Sequence, residues 1–497
     1  MISRRSNAQG GSGHAAAPTR TLEPHRMNAL RPSLAPAAAN ARAQLARLMA
    51  ALEGGLVERR RVLRLALLAA LAGEHTLLIG PPGTAKSQLA RRLHLAFGDG
   101  LYFERLLTRY TVPEELFGPL SIRALEEDRY ERQTEGFLPR ASIAFIDEVF
   151  KANSAILNAL LTLLNEREFD NGPRREACPL VSVIGATNAV PEDEVGEAFF
   201  DRFLMRLPVA PVSAPAFGRL LELDTEALPA AVAPLREADR QRIVQAAARV
   251  VLDDEVKGLL AELRAWLAEA RAYVSDRRWV QIARLLKVAA AAEARGTVVL
   301  WDLWLLPWCT AADGARQAEV ADWLAARIGV REALSPPRLT HLVEAFEAQV
   351  EAEHAADDLD YDESGRLQMR VATGEAAVGV KGTGSAMRMA FTRKRRYGET
   401  HVGARLREVE RTIERIDAYL AELVARRDDL AAYCAQSLWI DDALARRNGE
   451  NLAATVQAVQ SLRQRMLAAG AGFEALPRLP VDPGIAPAPV ADGALAG

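Results

Sequence analysis

Gly80-Pro81-Pro82-Gly83-Thr84-Ala85-Lys86-Ser87 follows the apolar run Thr76-Leu77-Leu78-Ile79 and opens a predicted helix. Strand, glycine turn and helix in that order make a phosphate-binding loop: backbone N–H groups at the helix N-terminus face an anion, a lysine reaches the terminal phosphates, and a hydroxyl ligates Mg²⁺. Lys86 is that lysine and Ser87 that hydroxyl. The generic pattern has glycine before the lysine, and this chain has Ala85. A methyl group is tolerated there if the backbone is right-handed helical.

About sixty residues on, Ile143-Ala144-Phe145-Ile146 reads as a buried strand that ends in Asp147-Glu148. Adjacent carboxylates at the C-terminal edge of a parallel sheet lie beside the phosphate loop. Asp147 is placed to hold the Mg²⁺ shell, and Glu148 to polarise water for attack on the γ-phosphate. A third strand, Val181 to Ala186, ends at Thr187-Asn188, where the Asn188 amide can orient that water. Asp201-Arg202-Phe203 closes the region, and an arginine there can project into a neighbouring subunit's site and neutralise developing charge. Ser275-Asp276-Arg277-Arg278-Trp279 offers a further cation from a second domain, Arg277 or its neighbour Arg278.

Strands alternating with helices such as Ser154 to Glu168 give the rhythm of a parallel sheet covered on both faces. The 497 residues call for about three domains at roughly 150 residues each. We read an N-terminal disordered arm over 1–40, an α/β nucleotide-binding domain over 41–208 and an α-helical lid over 209–345. A small β-rich module over 346–398 is suggested by alternating Leu367, Met369, Val371 and Met387, Met389, Phe391. A helical hairpin spans 399–475, where Val402, Leu406, Val409, Ile413, Ile416, Leu420 and Leu423 keep a four-three spacing that Leu452, Val456, Val459, Leu462 and Met466 resume. A Pro/Ala/Gly-rich flexible tail fills 476–497.

With 49% hydrophobic and 26% charged residues, composition excludes a wholly disordered chain. A formal charge of −3, from 62 Lys+Arg against 65 Asp+Glu, gives no general attraction to nucleic acid. The basic run Arg393-Lys394-Arg395-Arg396 has no aromatic platform beside it. No run of about 20 apolar residues is present, which argues against a membrane span. Cys178, Cys309 and Cys434 are too scattered for a zinc cluster or a disulfide framework, so a reducing, cytoplasmic setting is expected.

The ordered set Gly80 to Ser87, Asp147-Glu148, Asn188, Arg202 and Arg277 resembles the Walker A, Walker B, sensor 1, arginine finger and sensor 2 of AAA+ ATPases. Gly-Pro-Pro-Gly-Thr-Ala-Lys-Ser is similar to the loop of the MoxR group. Leu107-Thr108-Arg109-Tyr110 through Pro113-Glu114-Glu115-Leu116-Phe117-Gly118-Pro119-Leu120, then Gly136-Phe137-Leu138-Pro139, resembles the helix-2 insert of MoxR proteins, here about 108–140, and is closest to the RavA subfamily. Tyr273 to Trp279 is RavA-like too, so the resemblance covers about residues 40–345.

The resemblance implies an α/β P-loop AAA+ core with parallel sheet and helical lid, followed by the β module and the C-terminal helices. It implies catalytic roles for Lys86, Glu148, Asn188 and Arg202. Nucleotide contacts fall to Gly80, Pro81, Pro82, Gly83, Thr84, Ala85, Lys86, Ser87, Leu89 and Arg277, and metal contacts to Ser87 and Asp147. ATP and Mg²⁺ are the implied cofactors, with a homo-oligomeric, hexameric ring, a VWA-domain partner and a protein client. The expected activity is ATP-driven, chaperone-like remodelling or maturation of protein or metal-cofactor complexes. A nucleotide-gated scaffold with little turnover and a nucleic-acid motor are the competing readings.

Overall fold

The computed structural model describes residues 36–98, 100–191, 194–223, 233–328, 334–359, 370–371, 389–390, 392–440 and 442–490. Helices α1 (Pro36–Glu53) and α2 (Arg60–Leu71) lead into strand β1 (His75–Ile79), and the phosphate loop carries the chain into α3 (Lys86–Leu95). Strand β2 (Leu101–Leu106) is followed by two short helices, α4 (Pro113–Phe117) and α5 (Ile122–Glu126), within the 108–140 region. Then come β3 (Ala141–Asp147), α6 (Ser154–Glu166), the hairpin β4 (Glu168–Asn171) with β5 (Arg174–Ala177), β6 (Ser182–Thr187), α7 (Glu194–Phe200) and β7 (Phe203–Pro208). Strands β2-β3-β6-β1-β7 form one sheet, and every pair in it is parallel.

Successive side chains of a strand leave opposite faces of a sheet. Along β3, Ile143 and Phe145 enter one apolar cluster, with α1, α2, α3 and the lid helices, while Ala144 and Ile146 enter a second, with α6 and Phe199. Burial on both faces is why these strands read as continuous apolar runs. The order places β6 between β3 and β1, so the ends of three adjacent strands meet at one edge of the sheet.

The chain continues through α8 (Phe217–Leu221) and the lid, α9 (Glu237–Ala247), β8 (Val251–Leu252), α10 (Asp254–Glu269), α11 (Asp276–Ala292), β9 (Thr297–Val298), α12 (Leu306–Thr310) and α13 (Gly314–Arg327). The lid helix α11 packs on α1, α2 and α9 and touches β7. Helix α14 (Pro336–Ala355) runs ten residues past the expected boundary at 345, with Phe346 and Glu353 continuing the buried face begun by Leu339, Leu342 and Val343. Two small antiparallel pairs follow: β10 (Asp357–Leu359) with β13 (Thr392–Lys394), and β11 (Arg370–Val371) with β12 (Met389–Ala390). The second sets Val371 opposite Met389. Leu367, Met369, Met387 and Phe391, read as strand positions, lie outside the described residues.

Helices α15 (Glu399–Gln436) and α16 (Asp442–Glu474) form the intramolecular hairpin, and α14 packs against α16 as a third helix. Residues 477–490, expected to be loose, are held instead. Tyr397 donates its N–H to Pro477 O at 2.8 Å and accepts from Leu479 N–H at 2.9 Å, and Arg405 donates to Ala488 O at 2.7 Å. The hairpin is tied to the lid by a buried charged knot. Arg295 donates to Glu293 and Asp302, Asp302 accepts the Tyr433 hydroxyl at 2.9 Å, and Glu293 accepts Leu438 N–H at 2.6 Å.

Candidate nucleotide site

Gly80 is required by contact. A Cβ there would stand 2.1 Å from Val209 O, because the loop leaves β1 directly beneath the end of β7. Its N–H donates to Thr187 O at 3.0 Å and Val209 N–H donates to Ile79 O at 2.8 Å, so the loop is anchored to both neighbouring strands. Thr84 donates its hydroxyl to Pro81 O at 2.9 Å and closes the turn. Lys86 Nζ lies on the carbonyls of Gly80 at 2.7 Å and Pro81 at 3.0 Å, inside the curl of the loop. Sequence reading passed over Arg59, which is buried and donates from Nε to Thr84 O at 3.2 Å and from Nη2 to Ala210 O at 2.8 Å. It braces the loop against the end of β7.

Ala85 does not meet the condition set for a methyl group at that position. Its backbone is left-handed, φ 66° and ψ 27°, not right-handed helical. The residue performs the conformational duty of the glycine it replaces, with a Cβ that makes this region unfavourable by about 1–2 kcal/mol. Leu89, expected to touch nucleotide, is packed with Leu93 in the core at 3% exposure, one turn into α3 on its inward face.

At the same edge Asp147 ends β3 and accepts Glu148 N–H at 3.0 Å through Oδ1. Glu148 is also left-handed, at φ 52°. Its Oε1 accepts Asn188 Nδ2 at 2.8 Å and lies 3.3 Å from Lys151 Nζ. Lys86, Ser87, Asp147, Glu148 and Asn188 thus stand at the ends of three neighbouring strands, within about 10 Å at about 4.8 Å per strand spacing. Among the described residues no group of three or more His, Cys, Asp or Glu could hold a metal by itself. Ser87 and Asp147 alone suit Mg²⁺, which keeps several waters and binds through one or two protein oxygens plus phosphate.

Arg202 and Arg277 lie elsewhere. Arg202 precedes β7, whose Phe203 pairs with His75 at the start of β1. The two arginines line one cavity of about 410 Å³ together with Glu74, His75, Arg167 and Arg284. That is the opposite edge of the sheet from the phosphate loop, about 15 Å away along a five-residue strand. Arg277, expected among the nucleotide contacts, thus stands away from its own protomer's phosphate loop, where α11 packs against the N-terminal ends of the strands. Between the two lid candidates, Arg277 is exposed and reaches Asn165 Oδ1 at 2.9 Å, whereas Arg278 is buried.

The cavity is strongly cationic. Among the described residues Glu74 is its one carboxylate, and burial raises its pKa against the pull of Arg284 and Arg167. Burial pushes Arg167 down to about 10, and its Nη1 has no partner among the described residues. His75 is held well below the usual imidazole range by burial and then by Arg167, with Nδ1 accepting Val183 N–H at 2.9 Å. A larger cavity, about 920 Å³, lies between α10, α13 and α16, away from both edges of the sheet.

Residues 43–241 match the family described as the MoxR domain in the MoxR-vWA-beta-propeller ternary systems, and residues 255–324 match the AAA lid domain. The chain is 42% identical over 254 residues to the uncharacterized protein MJ0079 of Methanocaldococcus jannaschii, which covers 50% of this chain and 65% of that one. It is 42% identical over 238 residues to MJ0812 of the same organism, covering 47% of this chain and 62% of that one. It is 30% identical over 147 residues to the chaperone MoxR1 of Mycobacterium tuberculosis, covering 29% of this chain and 38% of that one. The chain thus spans less than two thirds of the length of each of these three relatives.

Proposed function

We propose that this chain, whose residues 43–241 match a MoxR domain and 255–324 an AAA lid domain, is an ATP hydrolase whose active site is completed between protomers of a ring. The observation that carries this reading is the split of the polar set. Lys86, Glu148 and Asn188 stand at one edge of the sheet, while Arg202 and Arg277 stand at the other, too far to serve the same phosphates. Only a second copy can bring the two halves together, which requires a head-to-tail, closing arrangement, a hexamer in our reading.

Lys86 exchanges its two loop carbonyls for the terminal phosphates when ATP enters. Glu148, oriented by Asn188, takes the proton of the attacking water. Ser87 and Asp147 would hold Mg²⁺, which would supply charge neutralisation on the phosphates. The partner's Arg202 and Arg277 meet the charge that develops on the γ-phosphate, a contribution worth about 10³-fold or more in related chemistry. Lid motion then carries the C-terminal hairpin, since the knot around Arg295 joins them.

The output is chaperone-like remodelling of a protein client, including metal-cofactor complexes, with a VWA-domain partner and in the cytoplasm. The description of the matched family supports the VWA-domain partner, and the name of the mycobacterial relative supports the chaperone-like output. The motifs quoted above support the narrower RavA kinship. The basic run gives little support to a nucleic-acid motor, since Lys394 pairs with Asp357 at 3.2 Å and Arg395 stands 3.9 Å from Asp358. The test is ATPase activity beside nucleotide binding. Glu148→Gln and Arg202→Ala should each bind ATP within about threefold of the parent and lose at least about 10²-fold in kcat. Unchanged turnover in both would remove these assignments.

A further inference from the structure

Arg278 sits one residue from Arg277 and reaches across the domain boundary to the residue before Arg202. Its side chain is 2% exposed, and each of its five N–H groups has an acceptor. Nε donates to Cys309 O at 2.6 Å, Nη1 to both Asp201 O and Asp201 Oδ1 at 3.0 Å, and Nη2 to Phe203 O at 2.6 Å and Leu204 O at 3.0 Å. These acceptors belong to three pieces of chain: the lid helix α12, the turn that carries Arg202, and the first two residues of β7. A lysine has three donors on a point charge and cannot span them.

The junction is a costly one to build for stability alone. A second buried arginine, Arg206, stands 3.9 Å from the same Asp201 carboxylate, with its guanidinium 3.8 Å from the Phe200 ring centroid. Two desolvated guanidiniums share one carboxylate there, where apolar packing would serve stability as well or better. The fork does provide a fixed relation between the half-buried Arg202 and the exposed Arg277 on either side of it.

We propose that Arg278 is a positioning residue that locks Arg202 and Arg277 into one clamp, so that both approach the neighbouring protomer's triphosphate together. This rests on the reading that the two arginines act in trans. Removing the fork leaves the protomer's own phosphate loop intact, since none of its five acceptors belongs to that loop. A protomer lacking Arg278 is therefore a poor donor of arginines and a sound acceptor of them.

The experiment compares the full-length protein with Arg278→Gln, Arg278→Lys and Asp201→Asn. Nucleotide affinity is expected within about twofold of the parent, with kcat at least about tenfold lower in both Arg278 variants and lowered less in Asp201→Asn. Each variant is then mixed in equal amounts with Glu148→Gln, whose arginines are intact but whose own site is inactive. Random mixing gives productive donor and acceptor pairs at about a quarter of the interfaces, so turnover recovers toward that fraction of the parent value. A general folding defect in the variant would not be rescued by its neighbour. The Arg202→Ala plus Glu148→Gln mixture runs alongside. If it recovers and neither the Arg278→Gln nor the Asp201→Asn mixture does, or if Arg278→Gln alone keeps the parent kcat, the clamp is wrong and the trans reading stands. If the Arg202→Ala mixture itself stays inactive, the trans reading falls and the clamp with it. Should Arg278→Gln not fold, Asp201→Asn carries the same mixing test.

Discussion

Replacing Ala85 by glycine should stabilise this protein, a sign opposite to that of most glycine substitutions at a helix start. Ala85 holds φ 66° and ψ 27°, a region that carries about 1–2 kcal/mol of strain for any residue with a Cβ. Glycine removes that strain and adds backbone freedom to the unfolded chain worth about 0.5–1 kcal/mol. The difference is a net gain of about 0.5–1 kcal/mol. Urea unfolding of the nucleotide-free protein, followed through the α/β domain, measures it. The companion Gly83→Ala isolates the same term with reversed sign. Gly83 has φ 77° and open space where a Cβ would sit, so its net cost, about 0.5–1 kcal/mol by the same difference, is conformational and not steric. Because the loop keeps its shape in Ala85→Gly, ATP affinity should stay within about threefold. A loss of 1 kcal/mol or more in Ala85→Gly would refute the left-handed assignment and the reasoning built on it.

Gly80→Ala should be far worse than Gly83→Ala. Its Cβ would meet the Val209 carbonyl at 2.1 Å, so the anchoring of the loop to β7 must break, at about 3 kcal/mol or more, read as lost stability and lost ATP binding together. Stability should also fall as pH is lowered. The native His75 stays neutral well below the usual range while the unfolded chain takes up a proton near 6.5, so one unit below that value the loss is about 1.4 kcal/mol. His94, whose pKa burial also lowers, adds in the same direction. Urea midpoints at pH 7.5 and 5.5 check this, and His75→Gln should remove part of the slope. Arg59→Met should weaken ATP binding by about tenfold while leaving the sheet folded, because it removes the brace on Thr84 O and no strand contact.

The phosphate loop, β1, β3, β6 and the helices flanking them were legible because burial on both faces writes continuous apolar runs. Strand β2 was not, since it is an edge strand with Glu104 and Arg105 in its length. Strand β7 hid behind Arg206, a buried arginine that meets the Phe200 carbonyl and ring and the Asp201 carboxylate. The carboxylate and amide of the site were readable from strand ends alone. The separation of Arg202 and Arg277 from them was not, because it follows from the strand order β2-β3-β6-β1-β7 and the seat of α11 on the sheet. Glu74 gave a faint signal, a charged residue set immediately before a buried strand. The held segment 477–490 gave none, since its composition resembles that of a free tail and its anchors, backbone bonds to Tyr397 and contacts with Thr400, Arg405 and Glu408, come from distant positions of the chain.

ATP turnover per protomer as a function of protein concentration tests the central claim most directly. If a neighbour's Arg202 and Arg277 complete each site, specific activity should rise steeply across the concentration range in which sedimentation shows assembly, and approach zero where only single chains remain. A specific activity that stays constant down to the single-chain regime would contradict it.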